Sequence, residues 1–321
     1  MKSTTLLGAL SLVASTLAAT IPAPPSLPLK REPHQLRLLH TAPISPSPPP
    51  GAARVFSVAV EAAAEESVKG GAVIKNPGVS VVQATFRVPL AQQPMTGPTA
   101  GNPVGLYAAS FHVGIDSFSG TCANFFRAGV DIFWDGTLGG EQSPFAWYQF
   151  GGVTETVGFS NFTVRAGEVV RITVQDSLGS GNSTEATATI ENFGQQLLNG
   201  TSGTSTAICV KGLTPKQAST QKISKPSGEG SSLCKGEAGF VVEDFPLAGM
   251  PQFPVALANF TTVAFKDVGI TVGSQTGGGE KKNAKGAELK DIRLAPQGGR
   301  LTACALVGGG KGVKCDRVVG E

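Results

Sequence analysis

From residue 70 onward, apolar residues recur in short runs broken by glycine and by Asn-Gly or Asp-Gly pairs. Val79–Val88, Gly105–Ile115, Val130–Trp134, Phe145–Phe150, Phe159–Val164, Val169–Val174, Glu185–Ile190, Phe240–Phe245 and Ala256–Phe265 are all brief and rich in β-branched or aromatic residues. That is the composition of strands. Turn signals such as Asp135-Gly136 and Asn199-Gly200 separate them. Alternation is imperfect in several runs, as expected where both faces of a sheet are covered. About a dozen such strands in succession predict an all-β fold, a two-sheet antiparallel β-sandwich. Two stretches interrupt the pattern. Lys211–Ser232 is polar, basic and poor in apolar residues, and Gly277–Lys285 reads GGGEKKNAK; both are expected as loops, the first as a mobile insertion.

The first 65 residues follow another pattern. Lys2 precedes an apolar stretch from Leu6 to Leu17, and small residues follow at Ala18 and Ala19, which is the pattern of a signal peptide over 1–19. The stretch is too short to span a bilayer. From Ile21 to Gly51 proline is too dense for helix interiors or central strands. Residues 20–65 are therefore expected as a disordered propeptide, with Lys30-Arg31 a candidate processing site and Phe56–Lys69 a candidate short helix. The domain is expected to fill 66–321. Four acceptor triplets for N-glycosylation, at Asn161, Asn182, Asn199 and Asn259, fit an exported chain. The expected location is extracellular.

Composition narrows the chemistry. The net charge is +3 and charged residues make up 15% of the chain; no basic stripe with interleaved aromatics is present, so neither a nucleic-acid partner nor a membrane partner is expected. The histidines are His34, His40 and His112, which leaves the domain one imidazole and no His/Cys cluster at zinc spacing. No Gly-x-Ser-x-Gly elbow and no phosphate loop between strand and helix is found. No cofactor and no metal is expected, and a monomer is expected. The five cysteines all follow residue 121; outside the cell an odd count predicts two bridges and one leftover thiol.

What remains is carboxylate chemistry. Asp116 lies in HVGID, Asp131 and Asp135 in RAGVDIFWDG, and Glu243-Asp244 in GFVVEDF. Strand alternation puts Val241, Glu243 and Phe245 on one face, and Val242 with Asp244 on the other. An acid among apolar neighbours loses hydration, which raises its pKa and suits it to proton transfer. An incidental surface acid is the commoner case, so spacing alone makes no site.

FHVGID (111–116), RAGVDIFWDG (127–136), FAWYQF (145–150), SLCKGEAGFVVEDF (232–245) and ALANFTTVAF (256–265) occur in the order and approximate spacing of blocks in the fungal glutamic peptidase family, which the chain resembles. GGAV (70–73) and VSVVQATFRVP (79–89) are similar to that family's first strands, and 172–196 to its central hairpin. The resemblance covers about residues 69 to 321, with an insertion at 211–232. It implies a sandwich of the concanavalin A-like or jelly-roll type with a cleft on one face. It also implies an exported acid endopeptidase acting on polypeptides without a metal. The family's dyad is a glutamate that activates water and a glutamine whose amide stabilises the oxyanion. The glutamate falls on Glu243, and the glutamine falls on Arg127.

An arginine beside Glu243 would form an ion pair and favour the ionised carboxylate, while a guanidinium can still donate to an oxyanion. Other cleft positions depart as well. Lys69 and His112 stand where the family has tryptophans, and Gln149 where it has an acid; Asp116, Trp147 and Tyr148 are kept. Catalytic roles are therefore expected at Glu243 and Arg127, and substrate contacts at Asp116, His112, Trp147, Tyr148 and Gln149. The resemblance also implies a Cys122–Cys234 bridge. Cys304 and Cys315 flank ALVGGGKGVK, whose glycine-rich turn would close a hairpin bridge; Cys209 is left over, expected as a buried inert thiol. Two functions follow: an acid endopeptidase, full or weakened, and a non-catalytic peptide- or glycan-binding module on the same sandwich.

Overall fold

The computed structural model describes residues 68–94, 105–151, 156–176, 185–195, 210–224, 233–244, 246–247, 250–254, 256–273, 279–293 and 299–318. The expected signal peptide and propeptide, residues 56–67 of the candidate helix Phe56–Lys69, the Asn199-Gly200 turn, Asn182 and Cys209 lie outside these residues, while Lys69, the end of that candidate helix, is in a strand.

Two antiparallel sheets make up the fold. The first has seven strands, in the order β15 (Glu288–Lys290), β1 (Lys69–Lys75), β10 (Glu237–Glu243), β3 (Leu106–Ile115), β4 (Phe126–Asp135), β5 (Gly140–Phe150) and β6 (Val157–Gly158). The second runs β16 (Thr302–Val307), β17 (Gly312–Arg317), β13 (Thr262–Val272), β2 (Val79–Arg87), β7 (Val169–Asp176), β8 (Glu185–Gly194) and β9 (Gln217–Ser224), with β14 (Glu280–Lys282) paired to β13. A short hairpin, β11 (Pro246–Leu247) with β12 (Met250–Pro254), stands apart. The architecture is the expected β-sandwich.

Period-two alternation decides what the sandwich encloses. Phe111, Val113 and Ile115 of β3, Phe126, Ala128 and Val130 of β4, and Ala238, Phe240 and Val242 of β10 face the second sheet, where Val82, Ala84 and Phe86 meet them in one core. Aromatic rings join the layers. Phe86 lies edge-on to Phe265 at 5.3 Å and 6.3 Å from Phe111, whose ring meets Phe260 edge-on at 5.2 Å. The complementary residues of β10, β3 and β4 share the opposite face of the seven-stranded sheet. Its centre is closed to solvent too, for Ser110, His112 and Asp131 are fully buried.

Four expectations are corrected. The segment read as the 211–232 loop contains β9, which pairs with β8 over eight residues. Its polar residues alternate between half-buried and exposed along an edge, so it lacks the apolar run that betrays a buried strand. Likewise β14 lies inside the loop read at 277–285. Phe159–Val164, read as a strand, is a turn in which Asn161 takes φ 54°; its apolar residues pack singly onto the core. In Ala256–Phe265 the ladder begins only at Thr262, after Thr261 with φ 55°.

Both expected bridges are present, Cys122–Cys234 and Cys304–Cys315. The second joins β16 to β17, where its cysteines are direct cross-strand partners. The first closes a loop of 112 residues in sequence and ties the segment after β3 to the approach to β10. Mass spectrometry of a non-reduced digest should recover these two pairs. A Cys209–Cys234 pair would contradict the register of β10 and with it the position of Glu243.

Candidate active site

β10, β3 and β4 bring the site together because they are neighbours in one sheet. Glu243 is paired in register with Lys69 on β1 and with Ser110 on β3, and Ser110 with Asp131 on β4. The next row along the same face is Val241, His112, Gly129 and Trp147; the one beyond is Gly239, Gly114, Arg127 and Gln149. Three rows of the sheet thus hold five of the seven residues expected at the site.

Arg127 spans these rows. Its Cα lies opposite Gly114, level with Gly239 rather than Glu243, yet the guanidinium reaches along the face and Nη1 donates to Glu243 Oε2 at 2.7 Å. Nε donates to Gln149 Oε1 at 3.0 Å. The guanidinium carbon also lies 4.9 Å from the ring centroid of Phe125 and 5.4 Å from that of Trp147. Arg127 is 8% exposed and Glu243 5%, so this is a largely desolvated ion pair. Breaking such a pair by removing one partner costs about 3–5 kcal/mol, because the other charge stays buried. No hydrogen bond to Nη2 is found among the described residues.

Glycine is required beside this cluster. A Cβ on Gly129 would come within 2.6 Å of the His112 Cβ and 3.0 Å of the Trp147 ring, so only glycine lets the two rings close over β4. Their centroids are 5.7 Å apart. His112 is fully buried with Nε2 3.2 Å from Glu243 Oε2, close enough to pass a proton though outside hydrogen-bond alignment, and no other partner of either ring nitrogen is found among the described residues. Burial pushes the imidazole down to about 4; the nearby Arg127 and Lys69 push the same way, and Glu243 opposes them. Lys69 turns its Nζ to the carbonyl of Ser117 at 2.7 Å, and burial lowers its pKa, with Glu243 opposing.

Two expected residues do not join the group. Tyr148 alternates to the inner face of β5, where its ring meets Phe159 edge-on at 5.1 Å. Asp116, at φ 55°, spends both oxygens on the backbone before β10: it accepts from the N–H groups of Lys235 (2.6 Å), Gly236 (2.8 Å) and Glu237 (3.2 Å). Those residues lie at the far end of β10 from Glu243, six residues or about 20 Å away. Asp116 fixes the strand that carries Glu243 and touches nothing in the cluster around it. Together with Cys122 and Cys234 it is a group of potential metal ligands, but the two sulfurs are bonded to each other, so the set does not suit a metal.

Asp131 and Ser110 escaped the list of expected site residues. Asp131 is fully buried and accepts from Trp147 Nε1 at 2.7 Å, which locks that indole. Ser110 is fully buried between Glu243 and Asp131, and its Oγ has no hydrogen bond. Strand parity could have found Asp131, since it shares the face of Arg127 four residues on.

Asp244, one residue beyond Glu243 and on the other face, is held well above the usual carboxylate range by burial; Arg317 opposes this and Glu243 adds to it. The folded chain therefore keeps a proton that the unfolded chain releases near pH 4. A raised carboxyl stabilises the fold below that pH, and the contribution is lost as pH rises through the raised value. Asp116 is also raised by burial. His112 acts in the opposite sense, its contribution being present above about pH 6.5 and lost as pH falls through about 4. Replacing Asp244 with Asn should reduce the advantage in melting temperature of about pH 4 over pH 7. An undiminished advantage would show that Asp244 titrates normally.

The pattern of the peptidase A4 family matches residues 67–197 and 197–317. Scytalido-glutamic peptidase bound to a transition state analog inhibitor is similar at 26% identity, over 79% of this chain and 99% of that one, with a TM-score of 0.56. SCP-B, of the eqolisin family, in complex with the tripeptide Ala-Ile-His shares the fold at 23% identity, over the same shares of each chain, with a TM-score of 0.53. No protein of curated function matches the sequence.

Proposed function

The chain belongs to the peptidase A4 family, and we propose that it is an exported endopeptidase of the glutamic type, working at acid pH through Glu243 and Arg127. The observation that carries this reading is the 2.7 Å contact between the two side chains. It joins the position of the family's general base to that of its oxyanion donor across the face of one sheet. Membership of a peptidase family supports a polypeptide as substrate.

In this reading Glu243 takes a proton from water as the oxygen attacks the scissile carbonyl carbon. The negative charge that develops on the carbonyl oxygen is met by the Nη2 N–H groups of Arg127, held in place by the contacts of Nε and Nη1. Glu243 then passes its proton to the leaving amine as the C–N bond breaks. The guanidinium favours the ionised carboxylate, which helps bind the attacking water and hinders the return of the proton. Slow turnover is expected. A competing reading, in which this face of the sheet binds peptide without cutting it, is favoured by the nearly complete burial of Glu243 and Arg127. Cleavage of a denatured protein at acid pH separates the two.

A further inference from the structure

His112 is not used by the scheme above, and its placement is unusual. A fully buried imidazole with no aligned hydrogen bond at either nitrogen among the described residues has few reasons to sit 3.2 Å from a carboxylate oxygen. The charged and titratable groups on the surrounding elements are Glu243 from β10, Arg127 and Asp131 from β4, and Lys69 from β1. Trp147 on β5 packs beside the ring. Asp131 is engaged by Trp147, Lys69 by the Ser117 carbonyl and Arg127 by Gln149 and Glu243. Among the described residues, Glu243 Oε2 is thus the acidic atom within reach of the ring.

We propose that His112 and Glu243 form one proton-sharing pair, with His112 a positioning residue that holds on Nε2 the proton Glu243 removes from the attacking water. This rests on Glu243 acting as the general base. The transfers balance. A water O–H bond breaks and a Glu243 O–H bond forms as the oxygen joins the carbonyl carbon. The proton then moves from Glu243 Oε2 to His112 Nε2, giving carboxylate and imidazolium beside Arg127. It returns to Glu243 and leaves on the amine nitrogen as the C–N bond breaks, which restores the neutral imidazole. The step answers a difficulty created by Arg127, whose cation at 2.7 Å opposes a proton resting on Glu243. An unperturbed imidazole would hold the proton too tightly to return it to a carboxylate; burial brings His112 down to about 4, close to an ordinary carboxyl group.

The pair can be tested by NMR of the histidine Cε1–H groups in the full chain, assigned with His34→Asn and His40→Asn. His112 is expected to titrate near pH 4. Its midpoint should move down in Glu243→Gln, which removes an anion, and up in Arg127→Gln, which removes a cation, each by about one pH unit. A midpoint near 6.5, or one that neither substitution moves, overturns the pair whether or not the protein cleaves anything. In the kinetic arm, His112→Asn should lower kcat by about 10²-fold with KM unchanged and shift the acid limb of the pH profile. An unchanged profile rules out the relay. If His112→Asn fails to fold, the titrations of the other variants decide. A wild type that shows the coupled titration but no cleavage would overturn the hydrolytic reading while leaving the shared proton in place.

Discussion

Arg127→Gln should raise the rate of peptide cleavage at roughly pH 3 to 4 by about 10²-fold, the lower end of what a working general acid–base group contributes. The argument starts from the ion pair. Arg127 Nη1 lies 2.7 Å from Glu243 Oε2 in a nearly solvent-free face of the sheet, so one carboxylate oxygen is occupied and the adjacent cation opposes a proton there. A neutral amide at position 127 would donate a hydrogen bond without that bias, and Glu243 could then both take a proton and give it up. The substitution carries a cost in stability that depends on pH. At neutral pH it leaves a buried carboxylate without its cation, for which the cost is about 3–5 kcal/mol. At acid pH protonation of Glu243 removes most of that penalty. The variant should therefore be faster and less stable at pH 7, with the stability difference closing on acidification. An unchanged rate would mean that Arg127 has no part in the chemistry. A fall in rate would mean that the guanidinium is the better donor.

Much of this site could be read from the chain, and the reason is parity. Glu243 and Val241, His112 and Ser110, and Arg127 and Asp131 share a face because each pair is two or four residues apart on a strand. Parity also argues against Tyr148, which cannot face the same way as Trp147 and Gln149, and the structure packs it, half-buried, against the core. Asp116 stands apart from the cluster for another reason. Its motif resembles that of the family, but its hydrogen bonds go to backbone N–H groups 119 to 121 residues away, and no local pattern reveals such a partner. The reach of Arg127 was equally hidden, since the register sets it opposite Gly114 and level with Gly239. In the fold, strands that bury β-branched residues declared themselves, whereas β9, a polar edge strand, did not. Phe159–Val164 shows the converse: aromatic and β-branched residues that pack individually through a turn imitate a strand.

The second large effect is expected at Glu243, and it bears on the central claim. Glu243→Gln keeps the size of the side chain and a hydrogen-bond acceptor toward Arg127, but an amide cannot take a proton from water. Loss of a positioned acid–base group lowers rates by about 10²–10⁴-fold. Because the amide is neutral, Arg127 remains buried beside it without a counter-ion, so melting curves of both proteins must accompany the kinetics. The direct measurement is cleavage of a denatured protein by the purified chain at roughly pH 3 to 4, wild type beside Glu243→Gln. The account predicts slow but definite cleavage by the wild type and none above background by a folded Glu243→Gln. Equal cleavage by the two, or none by the wild type, would contradict it.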